Sequence, residues 1–408
     1  MVALSSSRPC IHCKGAHSEN DCPLYNKALS LYKLRSSLKS PEFSGSSPAP
    51  FIGRFGYPYV NVGLLAPPEL GEHVAGYDDP RGWAAKDTEI RDVVGFRSSL
   101  VNSRTNLNVK QHSKVLELAQ EVSLASKPVD LDIELTKVPN INMRLDGTMA
   151  PMGPAAELKQ VVMTSNPSIH TRVERAFGDT DLKAAEAVVS LYDHGFDENQ
   201  LSKMLSTATL GIGANRKLVP TRWSITATDD TIGKRIIGEI RDFSLRHDHA
   251  AYFDGYMGNY YLVLVFPDIW GYELFETYMP SQRPDGDANF STDFEPFAGR
   301  KDYAENCAGG YYTARLAVAE RLRKLKRQAS CLVLRFVTSE YTVPLGVWVT
   351  REACRRSMAS QPMVFPSREA LLNHARSFAA ERFKFDIDRL LRHSRMMREQ
   401  RQPTLMDF

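Results

Sequence analysis

Residues 259–267 read NYYLVLVFP, eight residues without a charge ahead of a proline. Aromatic and β-branched side chains dominate and do not alternate with polar ones, which predicts a strand buried on both faces. Residues 331–338, CLVLRFVT, repeat the pattern around one arginine, and 341–350, YTVPLGVWVT, read as a further strand. Helical spacing covers two stretches within 180–209 and one over 313–328. Residues 367–400 read as one long helix with Leu371, Leu372, Phe378, Phe383, Ile387, Leu390 and Leu391 on a single face. Upstream, apolar residues recur at helical spacing between Val109 and Ala125. Val129, Leu131, Ile133 and Leu135 then alternate with Asp130, Asp132, Glu134 and Thr136, the period of a half-buried strand over 129–138. Interleaved strands and helices make the expected fold class α+β (mixed α/β).

The 408 residues, 43% apolar and 24% charged, suffice for two or three globular domains without disulfide staples. Lys and Arg number 51 against 48 Asp and Glu, a net charge of +3, so nucleic-acid binding has to be argued locally. A Cys/His unit and a short helical pattern over 23–38 make up 1–40, and the Ser/Pro/Gly-rich 41–50 reads as a linker. The body divides into 51–300 and 301–400, ahead of a tail, 401–408, expected to be disordered when free. MVALSSSRPC lacks a secretory apolar run, and no stretch reaches the roughly 20 residues of a membrane span. The expectation is a cytoplasmic protein with no membrane partner.

Cys10, Cys13, His17 and Cys22 follow the spacing Cys-x2-Cys-x3-His-x4-Cys. Three thiolates and an imidazole are the donor set of a closed tetrahedral site for structural Zn²⁺. So short a segment cannot build a core, and the metal would supply its folding energy. His12 is the competing ligand. The spacing is close to that of a zinc knuckle, which leaves both single-strand contact and a plain packing role open. Cys307, Cys331 and Cys354 read as buried apolar thiols. At the other end, Gln402, Leu405 and Phe408 stand at i, i+3 and i+6, the pattern of peptides that dock on sliding clamps. One 3₁₀-like turn brings the three to one side, so that Leu405 and Phe408 plug an apolar pocket beside Gln402. The competing reading is a frayed end.

The densest unusual segment is 215–234, NRKLVPTRWSITATDDTIGK. Thr221 to Thr228 read as an extended strand entering a turn, and Asp229-Asp230-Thr231 as the opening of a helix through Ile232, Ile236, Ile237 and Ile240. Arg216, Lys217 and Arg222 are candidates to hold phosphate, with Asp229 and Asp230 as metal ligands or a base. Arg222, Asp229 and Asp230 are the catalytic candidates, although ordinary helix capping accounts for the acids equally well. Residues 51–59, FIGRFGYPY, alternate glycines with aromatics. They form either a stacking platform for single strands, with Arg54 on phosphate, or a tight turn with packed aromatics. Glu273 and Glu276 are spaced as on one helical turn, a commonplace arrangement. Basic stripes run over 315–327, net +5, and 367–402, net +4; both fit solvated helix faces as well as a phosphate backbone.

FIGRFGYPYVNVG, KPVDLDIEL, RKLVPTRWSITATDDTIGK and the terminal QPTLMDF together resemble the archaeal Nre family of DNA repair proteins, of the NreA type. The resemblance runs from about residue 50 to the C-terminus, and the Cys/His unit falls where the family carries a metal-binding motif. It implies a role in DNA damage repair, with DNA and the PCNA sliding clamp as partners, and leaves the biochemical activity open. The expected function is a repair protein recruited to DNA by PCNA through its C-terminal motif. The alternative is an enzyme acting on DNA or nucleotides, with its pocket at 216–234. It would be either a metal-assisted hydrolase or an ADP-ribosyl-transfer-like enzyme using Arg222, Ser224 and Glu273 or Glu276. Convergence of Arg54, Arg216, Arg222 and Asp229 in one cleft favours the enzyme, and their dispersal favours an adaptor.

Overall fold

The computed structural model describes residues 22–140, 151–279 and 289–399. Cys10, Cys13, His17, Gln402, Leu405 and Phe408 lie outside the described residues. The chain divides into two compact units, and the division falls between Ile232 and Gly233 rather than near residue 300. One holds the described residues through Ile232 with Thr342–Leu345; the other holds Gly233–Tyr341 and the described residues from Gly346 onward.

The first unit contains α1 (Pro23–Ser37), β1 (Glu42–Ser47), β2 (Ala49–Ile52), β3 (Tyr59–Ala66), α2 (Pro80–Ala85), α3 (Ile90–Ser99), β4 (Val101–Asn108) and α4 (Lys114–Leu124). After these come β5 (Val129–Leu135), β6 (Ala155–Met163), α5 (Thr171–Gly178), α6 (Ala184–Asp193), α7 (Glu198–Ser206) and α8 (Thr221–Ile240), within which the division falls. The strands are ordered β1-β5-β6-β4-β3-β2. The two outer strands, β1 and β2, are consecutive and separated by Pro48 alone, so they are halves of one bent strand and the sheet closes on itself. Ser47 Oγ in β1 donates to the Leu65 carbonyl of β3 at 2.9 Å, which seals the closure. β6 bends too: its first residues run parallel to β4 and the remainder antiparallel to β5. Ile52, Val60, Val62, Leu107, Leu131, Ile133, Leu158 and Val161 point inward and are met by Leu116, Ala119 and Val122 of α4.

The stretch 41–50, expected as a linker, is therefore a structural strand. Its composition misled because the serines face acids on the neighbouring strand. Ser44 Oγ donates to Asp132 and Ser46 Oγ to Asp130, each pair directly in register between β1 and β5. Gly45 has no room for a side chain, since a Cβ there would lie 2.0 Å from the Pro67 carbonyl oxygen.

The second unit is a six-stranded sheet made of β7 (His249–Tyr256), β8 (Asn259–Phe266), β9 (Gly271–Tyr278), β10 (Phe290–Glu295), β11 (Ser330–Val337) and β12 (Met363–Phe365), ordered β10-β9-β11-β8-β7-β12. α9 (Ala308–Leu325) and α10 (Val347–Ala359) cover one face; α11 (Arg368–Phe383), α12 (Asp388–Leu391) and α13 (Arg395–Glu399) cover the other. β8 and β11 lie in the middle of the sheet and are buried on both faces, which explains their unbroken apolar runs.

Three expected elements differ. TRWSITAT is not a strand but the start of the 20-residue helix α8. Its buried stripe, Ser224, Thr228, Ile232, Ile236 and Ile240, has helical period, but Ser and Thr occupy the places where apolar residues would have announced it. YTVPLGVWVT turns at Gly346, φ +101°, and enters α10 at Val347. The single long helix over 367–400 is three. α11 ends at Lys384, φ +54°, and Phe385 and Ile387, two apart, both turn into the core, which no continuous helix allows.

Candidate functional site

The β2–β3 hairpin carries the feature that stands out on the first unit. Gly53 N–H donates to the Asn61 carbonyl and Tyr59 N–H to that of Gly56, both at 2.8 Å, so residues 53–58 form a tight tip with a cis Tyr57–Pro58 bond. Gly56 adopts φ +84°, and a Cβ there would fall 2.7 Å from the Tyr59 carbonyl oxygen. The tip leaves its aromatic rings in water: Phe55 is 71% exposed, Tyr59 57% and Tyr57 43%. The Arg54 guanidinium sits 4.8 Å above the Phe55 ring.

A distant part of the chain completes the patch. Ile52 N–H donates to Thr221 Oγ1 at 2.9 Å and fixes the first turn of α8 beside the hairpin. Trp223, 47% exposed, then packs against Tyr57 with ring centroids 5.4 Å apart. Val109 N–H donates to the Pro58 carbonyl and Leu218 N–H to the Val109 carbonyl, both at 2.9 Å. These bonds lay 108–110 and 217–219 alongside the tip. Lys110, Lys217 and Arg222 are exposed there. Residues 51–59 are thus a tight turn, as one of the two readings expected, but their aromatics face solvent instead of packing inside.

Arg216 departs from its expected role. Its Nε donates to the Gly211 carbonyl at 2.7 Å, a terminal nitrogen donates to the Asp179 carbonyl at 3.0 Å, and its guanidinium stacks 5.5 Å from the Phe177 ring. Burial pulls its pKa below the usual arginine value, against the pull of Asp179. It braces a loop. Asp229 and Asp230 stand about 10 Å along the helix axis from Arg222, Asp229 fully buried and Asp230 half-buried. The four residues whose convergence would have favoured an enzyme are dispersed: Arg54 and Arg222 flank the aromatic patch, Arg216 holds a loop and Asp229 is internal. A cavity of about 240 Å³ beside Lys27 and Asn140 contains none of them. Among the described residues no three His, Cys, Asp or Glu side chains gather in metal-binding geometry.

The remaining candidates are structural. Ser224 is buried and its hydroxyl donates to the Thr221 carbonyl at 2.9 Å. Glu273 and Glu276 lie on strand β9, not a helix, so three residues' spacing puts them on opposite faces. Glu273 accepts from Ser394 Oγ and from the N–H groups of Arg395 and Met396, capping α13. Burial raises its pKa, against those hydrogen bonds. Glu276 pairs with buried Arg335, which also bonds Asn259. The basic stripe of 315–327 is split: Arg315 is buried, 2.6 Å from Glu295, Arg321 lies half-buried against Tyr252, and Lys324 and Lys326 are exposed. In the C-terminal stripe, Arg376 pairs with Asp388 and Arg395 with Glu399.

One signal for the patch lies in the sequence as an absence of acids. Residues 53–66, 100–116 and 200–228, which build and flank it, contain no Asp or Glu, where 48 in 408 would place about seven in these sixty residues. The same segments carry Arg54, Arg104, Lys110, Lys114, Lys203, Arg216, Lys217 and Arg222.

Residues 17–283 match the profile described as Archaeal Nre, N-terminal, and residues 295–408 that described as Archaeal Nre, C-terminal. The chain belongs to the archaeal Nre family. It is 34% identical over 403 residues to the DNA repair protein NreB of Archaeoglobus fulgidus, covering 98% of this chain and 99% of that one. It is 36% identical over 375 residues to the DNA repair protein NreA of the same organism, 90% and 92% of the two chains. To the DNA repair protein NreA of Haloferax volcanii it is 34% identical over 329 residues, 78% of each chain. No solved structure matches. The residues of the aromatic patch all lie within the N-terminal Nre region.

Proposed function

We propose that this Nre protein is a DNA repair factor that holds DNA on the aromatic and basic patch of its first unit and is brought to the replication machinery by PCNA. The observation that carries the reading is the set of Phe55, Tyr57, Tyr59 and Trp223, exposed together between Arg54 and Arg222. Exposed rings offer stacking surface to bases of any sequence, worth about 1–3 kcal/mol each, and the flanking cations meet phosphate. The relatives' name as DNA repair proteins supports the same reading. Gln402, Leu405 and Phe408 are the proposed PCNA anchor. Zn²⁺ on Cys10, Cys13, His17 and Cys22 is the proposed structural metal. Cys22 is buried at the N-cap of α1, so a metal held there would tie the preceding residues to that helix. Tyr57→Ala with Trp223→Ala tests the patch by anisotropy of labelled DNA. Both rings stand partly in water at the surface, outside the buried core, so the melting temperature is expected to hold while affinity falls at least about tenfold. Full affinity in that variant refutes the patch as the DNA site.

A further inference from the structure

The connectivity of the first unit narrows what kind of nucleic acid it takes. Counting the bent β1–β2 as one strand leaves five, and their closed order is first, second, third, fifth, fourth and back to the first. The third and fifth, β4 and β6, are parallel, and every other pairing is antiparallel. α4 connects the third strand to the fourth and packs into the barrel. This is the Greek-key barrel of the OB type, whose ligands lie across strands two and three and against the loop between strands one and two. In this chain that loop is the Arg54–Pro58 tip.

The outer face of strands two and three has the matching chemistry. Val60, Val62 and Leu64 of β3 point into the core, so Tyr59, Asn61 and Gly63 point outward. Opposite them on β4 stand Asn108, Asn106 and Arg104, in direct register. Tyr59, Arg104 and Asn106 are exposed and Asn61 and Asn108 half-exposed. The face therefore offers one ring, three amides and a guanidinium over about 13 Å of strand, with no acid on either strand. Amides present both donors and acceptors to base edges, which a paired base does not offer freely. Leu65 and Asn102 at the far end are buried, so the path is open only at the hairpin end.

We infer that the barrel of this unit is an OB-type module for single-stranded nucleic acid, and that the strand runs from the Arg54–Tyr57 tip over the outer face of β3 and β4 to Arg104. This rests on the patch being the DNA site and adds the substrate class and its path. The test uses the full chain and labelled oligo(dT) of about twelve residues, within the 4–16 nucleotides an OB fold covers, beside a duplex of equal length. Arg104→Ala with Asn106→Ala removes the far half of the path, and its fold is checked by circular dichroism. Expected is preference of the natural protein for oligo(dT) over duplex. The variant should lose about tenfold in oligo(dT) affinity, with the slope of log affinity against log salt reduced by about 0.7. Equal or tighter binding of duplex overturns the single-strand assignment. Natural oligo(dT) affinity in the Arg104/Asn106 variant, with loss in the Tyr57/Trp223 variant, overturns the path and leaves the patch standing. No loss in either variant overturns both.

Discussion

Asp78 is the residue on which the charge balance of the first unit turns. It is buried, with Arg97 at 2.7 Å and Lys203 at 2.6 Å, and its own carbonyl accepts from Asn199 Nδ2 at 3.0 Å. Burial alone would push its carboxyl up, but attraction to the two cations and hydrogen bonds from Lys203 and Asn199 outweigh that and hold it below the ordinary value. Its folded-state pKa therefore lies under the unfolded one, near 4. The stabilisation is complete above about pH 4 and drains away as pH falls through the folded value. Asp78→Asn leaves two half-buried cations without their anion and is expected to cost about 3 kcal/mol near neutral pH. Urea denaturation at neutral pH and below the carboxylate range should show the gap to the natural protein closing in acid. A gap independent of pH would assign the loss to packing. Arginines divide along the same line: Arg216 satisfies two carbonyls and Arg222 reaches into water, although six residues separate them.

At the scale of elements, the bent first strand decides the barrel. Its two halves meet different neighbours, β5 before Pro48 and β3 after it, and the bend brings Gly45 against the Pro67 carbonyl. Gly45→Ala would drive a methyl group into backbone that cannot move without opening the sheet. The expected loss exceeds about 2 kcal/mol, read as a lower thermal midpoint. A midpoint within error of the natural protein would mean the strand relaxes, and would weaken the account of closure. The same scale explains the three helices after Arg368. A left-handed residue ends α11, and Glu273, from the sheet, supplies the cap that starts α13.

For the whole molecule, residues 402–408 carry the proposed PCNA anchor and residues 10–22 the proposed zinc ligands. Removal of residues 402–408 is expected to leave the melting temperature unchanged and to abolish PCNA binding in titration, with Phe408→Ala losing most of it. Unchanged affinity in the truncated protein would place the clamp contact elsewhere. At the other end, metal analysis should return about one zinc per chain. Cys10→Ser with Cys13→Ser should remove it, and full zinc in that variant would overturn the ligand set. Among the described residues no helix is long and apolar enough to cross a membrane.

By itself the sequence determined the elements whose burial is uniform or strictly periodic. β8 and β11 are central strands because each side of each strand needs an apolar partner, and β5 shows its one buried face by alternation. α6, α7 and α9 were legible for the same local reason. What only the tertiary structure decided was made by contacts distant along the chain. A serine-rich strand is stable because Asp130 and Asp132 lie across from it, and α8 buries Ser and Thr where a core helix ordinarily buries leucine. Half of the candidate site was readable as the aromatic tip at 51–59. Its other half, Trp223, arrives through one hydrogen bond between Ile52 and Thr221, 169 residues apart, and a contact of that separation leaves no trace in local periodicity.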